Sequence, residues 1–341
     1  MKPVVLPPNL VPRFYRGGER IAGLRGIPID SDRVPEEWVG SATTVFGETS
    51  LGLSALPSGE LVRDALRRDP VGWLGADHAA RFGGDPALLV KLLDAGERLP
   101  VHVHPDGPFA RRALGTRYGK TEAWIVVGTS GDDVSVAAGF REDIEPKTIA
   151  RWVAEQDHDA MLGALNPVPV KPGDAIFIPA GTPHAIGQGA FIVELQEPTD
   201  LSVLLEWDGF GISDEQEATL GLGWDVALGC VDLAARDAGA LRGPTDGGPV
   251  ARLLPEAADR FFRAERITAA SGEPADVARG FAVLVFLDGA GALTSSESET
   301  LPVRRGDTVL VPHAAGGCRL EGDAVAIACR PPDPAVNGGP R

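Results

Sequence analysis

Six histidines occur in this chain of 341 residues, and three of them fall in two short segments that could hold a metal. His102-Val103-His104 puts two imidazoles at i and i+2, which on a strand point to one face and can reach one ion. Glu122 opens the next apolar run and offers a carboxylate, and His184 closes the pattern Gly173-x5-Pro179-x-Gly181-x2-His184. Three imidazoles and a carboxylate suit Zn²⁺, with Fe²⁺, Mn²⁺, Co²⁺ or Ni²⁺ as alternatives. Such an ion is a Lewis acid, so groups able to move a proton nearby become relevant. Glu194 lies ten residues beyond His184 on an apolar stretch, and Lys120 stands two before Glu122, on the same face of an extended strand. Glu194 is the candidate acid–base group and Lys120 the candidate partner for a substrate oxygen. His78, His158 and His313 lie outside the pattern and are expected to be surface or structural residues.

Short strands must position these groups. The chain carries 43 Gly and 29 Pro but is 43% hydrophobic, the composition of a turn-rich globular β protein. Strands are expected at Leu88–Leu93, Leu99–His104, Glu122–Val127, Asp133–Ala137, Ala175–Ile178, Phe191–Leu195 and Leu201–Leu205. Residues 1–58 read as irregular apart from a strand near Trp38. Helices are expected at Glu60–Asp69, after Pro146, and after Ser213, where Gln216 completes a capping-box spacing. Residues 237–249 read as a linker, followed by further strands. Lys171-Pro172-Gly173-Asp174-Ala175-Ile176-Phe177-Ile178-Pro179 is echoed by Arg304-Arg305-Gly306-Asp307-Thr308-Val309-Leu310-Val311-Pro312, a turn–strand–Pro unit repeated once. Two β domains follow, 1–236 and 237–341. In the second, Ala314 and Gly317 occupy the places of Gly181 and His184, so no metal is expected there.

The formal charge of −16 disfavours nucleic acid and anionic membrane surfaces. No apolar run approaches the length of a membrane span, the N-terminus lacks a signal-peptide core, and three cysteines imply no disulfide framework. A cytoplasmic protein acting on a small molecule is expected, as monomer or homodimer.

The His-x-His, Glu and Gly-x5-Pro-x-Gly-x2-His order is the two-part pattern of the cupin barrel, so the expected fold is all-β, two cupin-like jelly-roll barrels with a few short helices. Leu88–Ala95, Val103-His104-Pro105-Asp106, Gly119-Lys120-Thr121-Glu122-Ala123-Trp124, Ile178–Ala185 and Glu194-Leu195-Gln196-Glu197 together resemble the class I mannose-6-phosphate isomerases, in their short bacterial form. The resemblance covers residues 1–230 well and implies a Zn²⁺-dependent aldose–ketose isomerase interconverting mannose 6-phosphate and fructose 6-phosphate. It implies His102, His104, Glu122 and His184 as metal ligands, with His102 where the family has Gln. Trp38, Arg111 and Arg117 are the expected substrate contacts. Leu204 stands where the family carries an Arg, so the cation acting on the substrate must come from elsewhere, with Lys120 and the 111–117 loop as the visible sources. Isomerisation of another, unphosphorylated sugar, a cupin dioxygenase, and a non-catalytic sugar-binding protein are the alternatives.

Overall fold

The computed structural model describes residues 1–296 and 300–336. The strands in chain order are β1 (Val4–Val5), β2 (Leu10–Val11), β3 (Glu36–Val39), β4 (Leu89–Asp94), β5 (His102–Val103), β6 (Glu122–Thr129), β7 (Ser135–Phe140), β8 (Leu165–Pro169), β9 (Ala175–Ile178), β10 (His184–Ala185), β11 (Ala190–Gln196) and β12 (Val203–Leu204). They are followed by β13 (Val250–Arg252), β14 (Arg263–Ala269), β15 (Ala275–Val277), β16 (Ala282–Ser295), β17 (Leu301–Arg304), β18 (Thr308–Val311) and β19 (Cys318–Arg330). Helices are short: α1 (Glu19–Arg25), α2 (Val62–Arg68), α3 (Pro70–Leu74), α4 (Ala76–Phe82), α5 (Gly107–Leu114), α6 (Pro146–Glu155), α7 (His158–Ala164), α8 (Glu215–Ala218) and α9 (Trp224–Ala227).

Two antiparallel sheets build the N-terminal barrel. One runs β2-β3-β4-β11-β6-β9, the other β12-β5-β10-β7-β8. Leu93, Trp124, Val126 and Ile192 of the first pack against Val136, Ala138 and Val168 of the second. The outer face of the first sheet is buried too: Val90, Leu92, Ile125, Val193 and Leu195 pack against α2, α3 and the second barrel's Val283, Val285, Leu310 and Ile327. Burial on both faces is why β4 and β11 read as near-continuous apolar runs rather than alternating ones. The outer face of the five-stranded sheet is covered by Ile149 and Val153 of α6 and Met161 of α7. Among the described residues no helix is long and apolar enough to cross a membrane.

The remaining strands form an eight-stranded sheet around a core of Leu284, Phe286, Leu293, Val309 and Ala326. Its first strand is β1, which pairs Val4 with Leu310, so residues 4–5 complete the eight-stranded sheet of the second barrel before the chain enters the first. The repeated turn is real in three dimensions. Gly173 (φ 97°) and Gly306 (φ 89°) take the left-handed conformation that glycine adopts most cheaply, and Asp174 and Asp307 accept the N–H of Lys171 and Arg304.

Several local expectations shift. β5 and β12 are two residues long, shorter than the apolar runs around them, because Pro100 and Pro105 deny ladder donors on either side of β5. The 1–58 segment contains α1. Pro70 not only follows α2 but opens α3 at its first position, with Asp69 capping Gly72. The helix after Ser213 is a single turn capped by Asp214, and Ser213 bonds Glu217 rather than Gln216.

Candidate metal centre and active cavity

The ladder between β5 and β10 places His102 and His184 as direct register partners. His104 follows one residue past β5, on the same face as His102. Each Nδ1 lies 2.8 Å from a backbone carbonyl: His102 to Pro100, His104 to Leu201, His184 to Thr182. A carbonyl only accepts, so each Nδ1 carries the proton and each Nε2 is left with its lone pair. One ring nitrogen from each histidine lies within 4.8 Å of the other two.

Glu122, the first residue of β6, approaches from the opposite sheet. Its carboxylate lies 3.0 Å from His104 Nε2 and 3.3 Å from His184 Nε2, and it accepts the Trp124 indole N–H at 2.9 Å. Lys120 Nζ is 3.1 Å from Glu122 Oε2 and 3.0 Å from His104 Nε2. Burial pushes the His102 imidazole well below its usual range, and burial followed by Lys120 takes His104 down to about 3. Burial opposes ionisation of Glu122, yet Lys120 and His104 hold its carboxyl well below the usual carboxylate range. Neutral imidazoles and an ionised carboxylate are the states a divalent metal needs. His184 Nε2 and Glu122 Oε2 are buried without a hydrogen-bond partner, which an ion between them would satisfy. The donor set therefore fits a divalent cation, with the carbonyl-locked Nδ1 atoms as its outer support.

Backbone contacts hold the three sequence blocks together. Lys120 N–H donates to Pro105 O, Gly181 N–H to His104 O, and Thr121 N–H to the Glu197 carboxylate. Gly119 sits where any Cβ would come within 2.5 Å of the Pro105 carbonyl, so only glycine permits this approach. Arg98 clamps the buried Glu206 through two 2.6 Å bonds, and Glu206 in turn accepts the N–H of Val101 at the mouth of β5.

The cluster opens on a cavity of about 350 Å³. Beside His102, Glu122 and Lys120 it is lined by Arg13, Lys91, Glu36, Glu194 and Asp200. Lys91 Nζ is 3.5 Å from both Glu36 and Glu194 and 3.9 Å from Asp200, and lies over the Trp38 ring. Arg13 donates to Asp200 at 3.0 Å and stands 3.5 Å from Glu36. Tyr15 O–H and Trp38 Nε1–H complete the shell of Glu36 at 2.5 and 2.6 Å. Burial, ahead of the opposing pull of Lys91, raises the Glu194 carboxyl to about 8.

No family model matches the chain. The chain is 27% identical over 324 residues to mannose-6-phosphate isomerase of Streptococcus mutans, covering 92% of this chain and 93% of the relative. It is 26% identical over 332 residues to mannose-6-phosphate isomerase ManA of Bacillus subtilis, covering 96% and 98%. Both relatives are matched over nearly their whole length, in line with the likeness of the sequence motifs to the class I mannose-6-phosphate isomerases. The crystal structure of mannose 6-phosphate isomerase from Bacillus subtilis superposes with a TM-score of 0.77 at 22% identity, covering 97% of this chain and all of that one, which fixes the cupin fold.

Within this family fold, the structure brings His102, His104, Glu122, His184, Lys120 and Glu194 to one place. It does not bring Trp38, Arg111 or Arg117 there. Trp38 is fully buried between Val11 and Leu89, behind Glu36 and Lys91. Arg111 is exposed because the segment expected as a loop forms α5, which carries it away from the cavity, and Arg117, beyond the end of that helix, is exposed as well. Arg111 donates to the Arg117 carbonyl, and Arg117 stacks on Phe82 and Tyr118. Leu204 does line the cavity, as part of an apolar wall with Leu93, Leu99 and Ile186.

Sequence inspection missed Arg13, Lys91, Glu36 and Asp200. Lys91 had a signal: a lysine inside the apolar run Leu88–Leu93 is a charge that must be buried and paired. Arg13 had none, since its partner Asp200 is 187 residues away. Of the other histidines, His78 bonds the Asp85 carbonyl, His158 lies 3.4 Å from Glu206, and His313 sits in a short 3₁₀ turn of the second barrel.

Proposed function

We propose that His102, His104, Glu122 and His184 hold one Zn²⁺ and that the cavity beside them interconverts mannose 6-phosphate and fructose 6-phosphate. The observation that carries this is the convergence of three carbonyl-locked imidazoles and Glu122 on a cavity that also holds Lys120 and Glu194. When bound, the metal supplies Lewis-acid stabilisation of charge on the sugar oxygens.

The chain's own groups account for proton movement. Aldose–ketose exchange removes the C2 proton, leaves the electron pair in an enediol C1=C2 bond, and returns a proton to C1, while the hydroxyl proton passes from O2 to O1. Glu194 Oε2 is buried without a hydrogen-bond partner, and the ionised form of this carboxyl, which grows as pH rises toward its raised value of about 8, accepts the carbon-bound proton and returns it. Lys91 beside it keeps either protonation state compensated. Lys120, held by Glu122, points its ammonium where negative charge develops on the sugar oxygen. The apolar wall of Leu93, Leu99, Ile186 and Leu204 keeps water from the enediol.

Solvent-deuterium exchange at C2, with metal quantified per chain, tests this reading across mannose 6-phosphate, other sugar phosphates and free sugars. Exchange into mannose 6-phosphate is expected. An inert mannose 6-phosphate beside an exchanging neutral sugar would overturn the substrate assignment.

A further inference from the structure

A second cavity, of about 500 Å³, adjoins the metal cavity and shares Val45, Phe46 and Asp200 with it. Its opposite wall is α2, which turns Arg63 and Arg67, one helical turn apart, into the same space. Arg67 makes no ion pair or side-chain hydrogen bond among the described residues. Arg63 has only Asp64, 3.5 Å away, and its buried Nε lacks a hydrogen-bond partner. Thr43 and Thr44 line the cavity with hydroxyls that bond to no described group. Phe82, on the same wall, carries the guanidinium groups of Arg81 and Arg117 at 5.1 and 5.4 Å from its ring centre. The two carboxylates in the lining are already engaged, Asp85 by the Ala87 N–H and Asp200 by Arg13. A locally basic cavity in a chain of net charge −16 is a pocket for an anion.

We propose that this cavity binds the phosphate group of a small metabolite, with Arg63 and Arg67 as its cationic partners and Thr43 and Thr44 as hydroxyl donors. Guanidinium forks match phosphate oxygens in geometry and charge. The wall between the cavities makes the site consequential. Phe46 N–H donates to Asp200, Asp200 holds Arg13, and the carbonyl of the neighbouring Leu201 holds His104 Nδ1. Two sources of phosphate share this chemistry: the substrate's own group, reaching across Phe46, or a separate phosphorylated ligand acting through the 199–201 segment.

The test uses the metal-loaded protein and an Arg63→Gln, Arg67→Gln double variant, both titrated calorimetrically with inorganic phosphate and with mannose 6-phosphate. Both substitutions lie on a partly exposed helix face, and an unchanged melting temperature and metal content confirm the fold. Phosphate binding that is about tenfold or more weaker in the double variant is expected. Equal phosphate binding by the two proteins, or none by the wild type, overturns the proposal. If the variant raises KM for mannose 6-phosphate but not for an unphosphorylated sugar, the phosphate is the substrate's. If KM holds while added phosphate alters wild-type turnover only, it belongs to a second ligand. The binding arm does not depend on isomerase activity, so its failure and the failure of the proposed reaction are separable.

Discussion

His102 and His184 face each other as register partners across the β5–β10 ladder, with ring centres 4.1 Å apart. The proposed metal centre is thus built from a pairing rather than a loop, and a one-residue slip of that ladder would send one imidazole to the opposite face of the sheet.

Removing two members should empty the site. A His104→Ala, His184→Ala double variant is expected to retain less than about a tenth of the wild-type metal after dialysis, measured by mass spectrometry. The wild type should also melt at lower temperature in a chelator, while the double variant should show no such difference, because metal binding stabilises only the fold that presents the ligands. Full occupancy in the double variant would exclude these residues as the ligands.

Glu194→Gln keeps the shape of the side chain but removes its capacity to take a proton. Turnover is expected to fall by about 10²–10⁴-fold, with metal content retained and KM changed little. A merely structural glutamate would instead alter melting temperature and leave kcat close to normal.

Glu36 sets an acid limit on stability. Burial opposes its charge, but Lys91 and Arg13 beside it, with bonds from Tyr15 and Trp38, bring its carboxyl down to about 2 from an ordinary 4.5. A folded-state pKa below the unfolded one stabilises fully above pH 4.5, and that contribution is lost as pH falls from 4.5 toward 2. Denaturant midpoints measured down that range should fall for the wild type. Glu36→Gln should be less stable near neutrality by a few kcal/mol, because Lys91 loses a partner, and should show a shallower acid slope. Parallel slopes would remove Glu36 from the account.

Arg13 is the cation of the metal cavity that solvent reaches, its side chain 16% exposed against 2% for Lys91 and 6% for Lys120. Its bond to Asp200 fixes it facing the ligand space that Leu204 leaves apolar. Arg13→Gln is expected to raise KM about tenfold for phosphorylated and unphosphorylated sugars alike, with kcat within about threefold. A larger loss in kcat than in affinity would instead make Arg13 part of the proton-transfer machinery.

Residue types and short spacings were enough to pick out the three histidines that the structure clusters, to nominate Glu122 and Glu194 beside them, and to read the two-barrel architecture. Those signals are local: a period of two puts His102 and His104 on one face, and a Gly-Asp turn announces itself twice, at 173 and at 306. Chain order alone did not reveal that β1 belongs to the second barrel's eight-stranded sheet, because strand pairing at that distance leaves no mark in local composition. Nor did it reveal that Arg111 rides outward on α5 and that Arg117 lies exposed beyond its end, although Asp106 and Pro108 are a cap and a first-turn proline in plain view.

What the sequence by itself determined is the chemistry available: which donors exist, and which of them a strand must present together. What only the tertiary structure decided is which charges share a cavity. Arg13, Glu36, Lys91 and Asp200 come from four separate segments and meet because two sheets close over them. A buried charge must find its counter-charge wherever the fold brings one, at whatever distance along the chain.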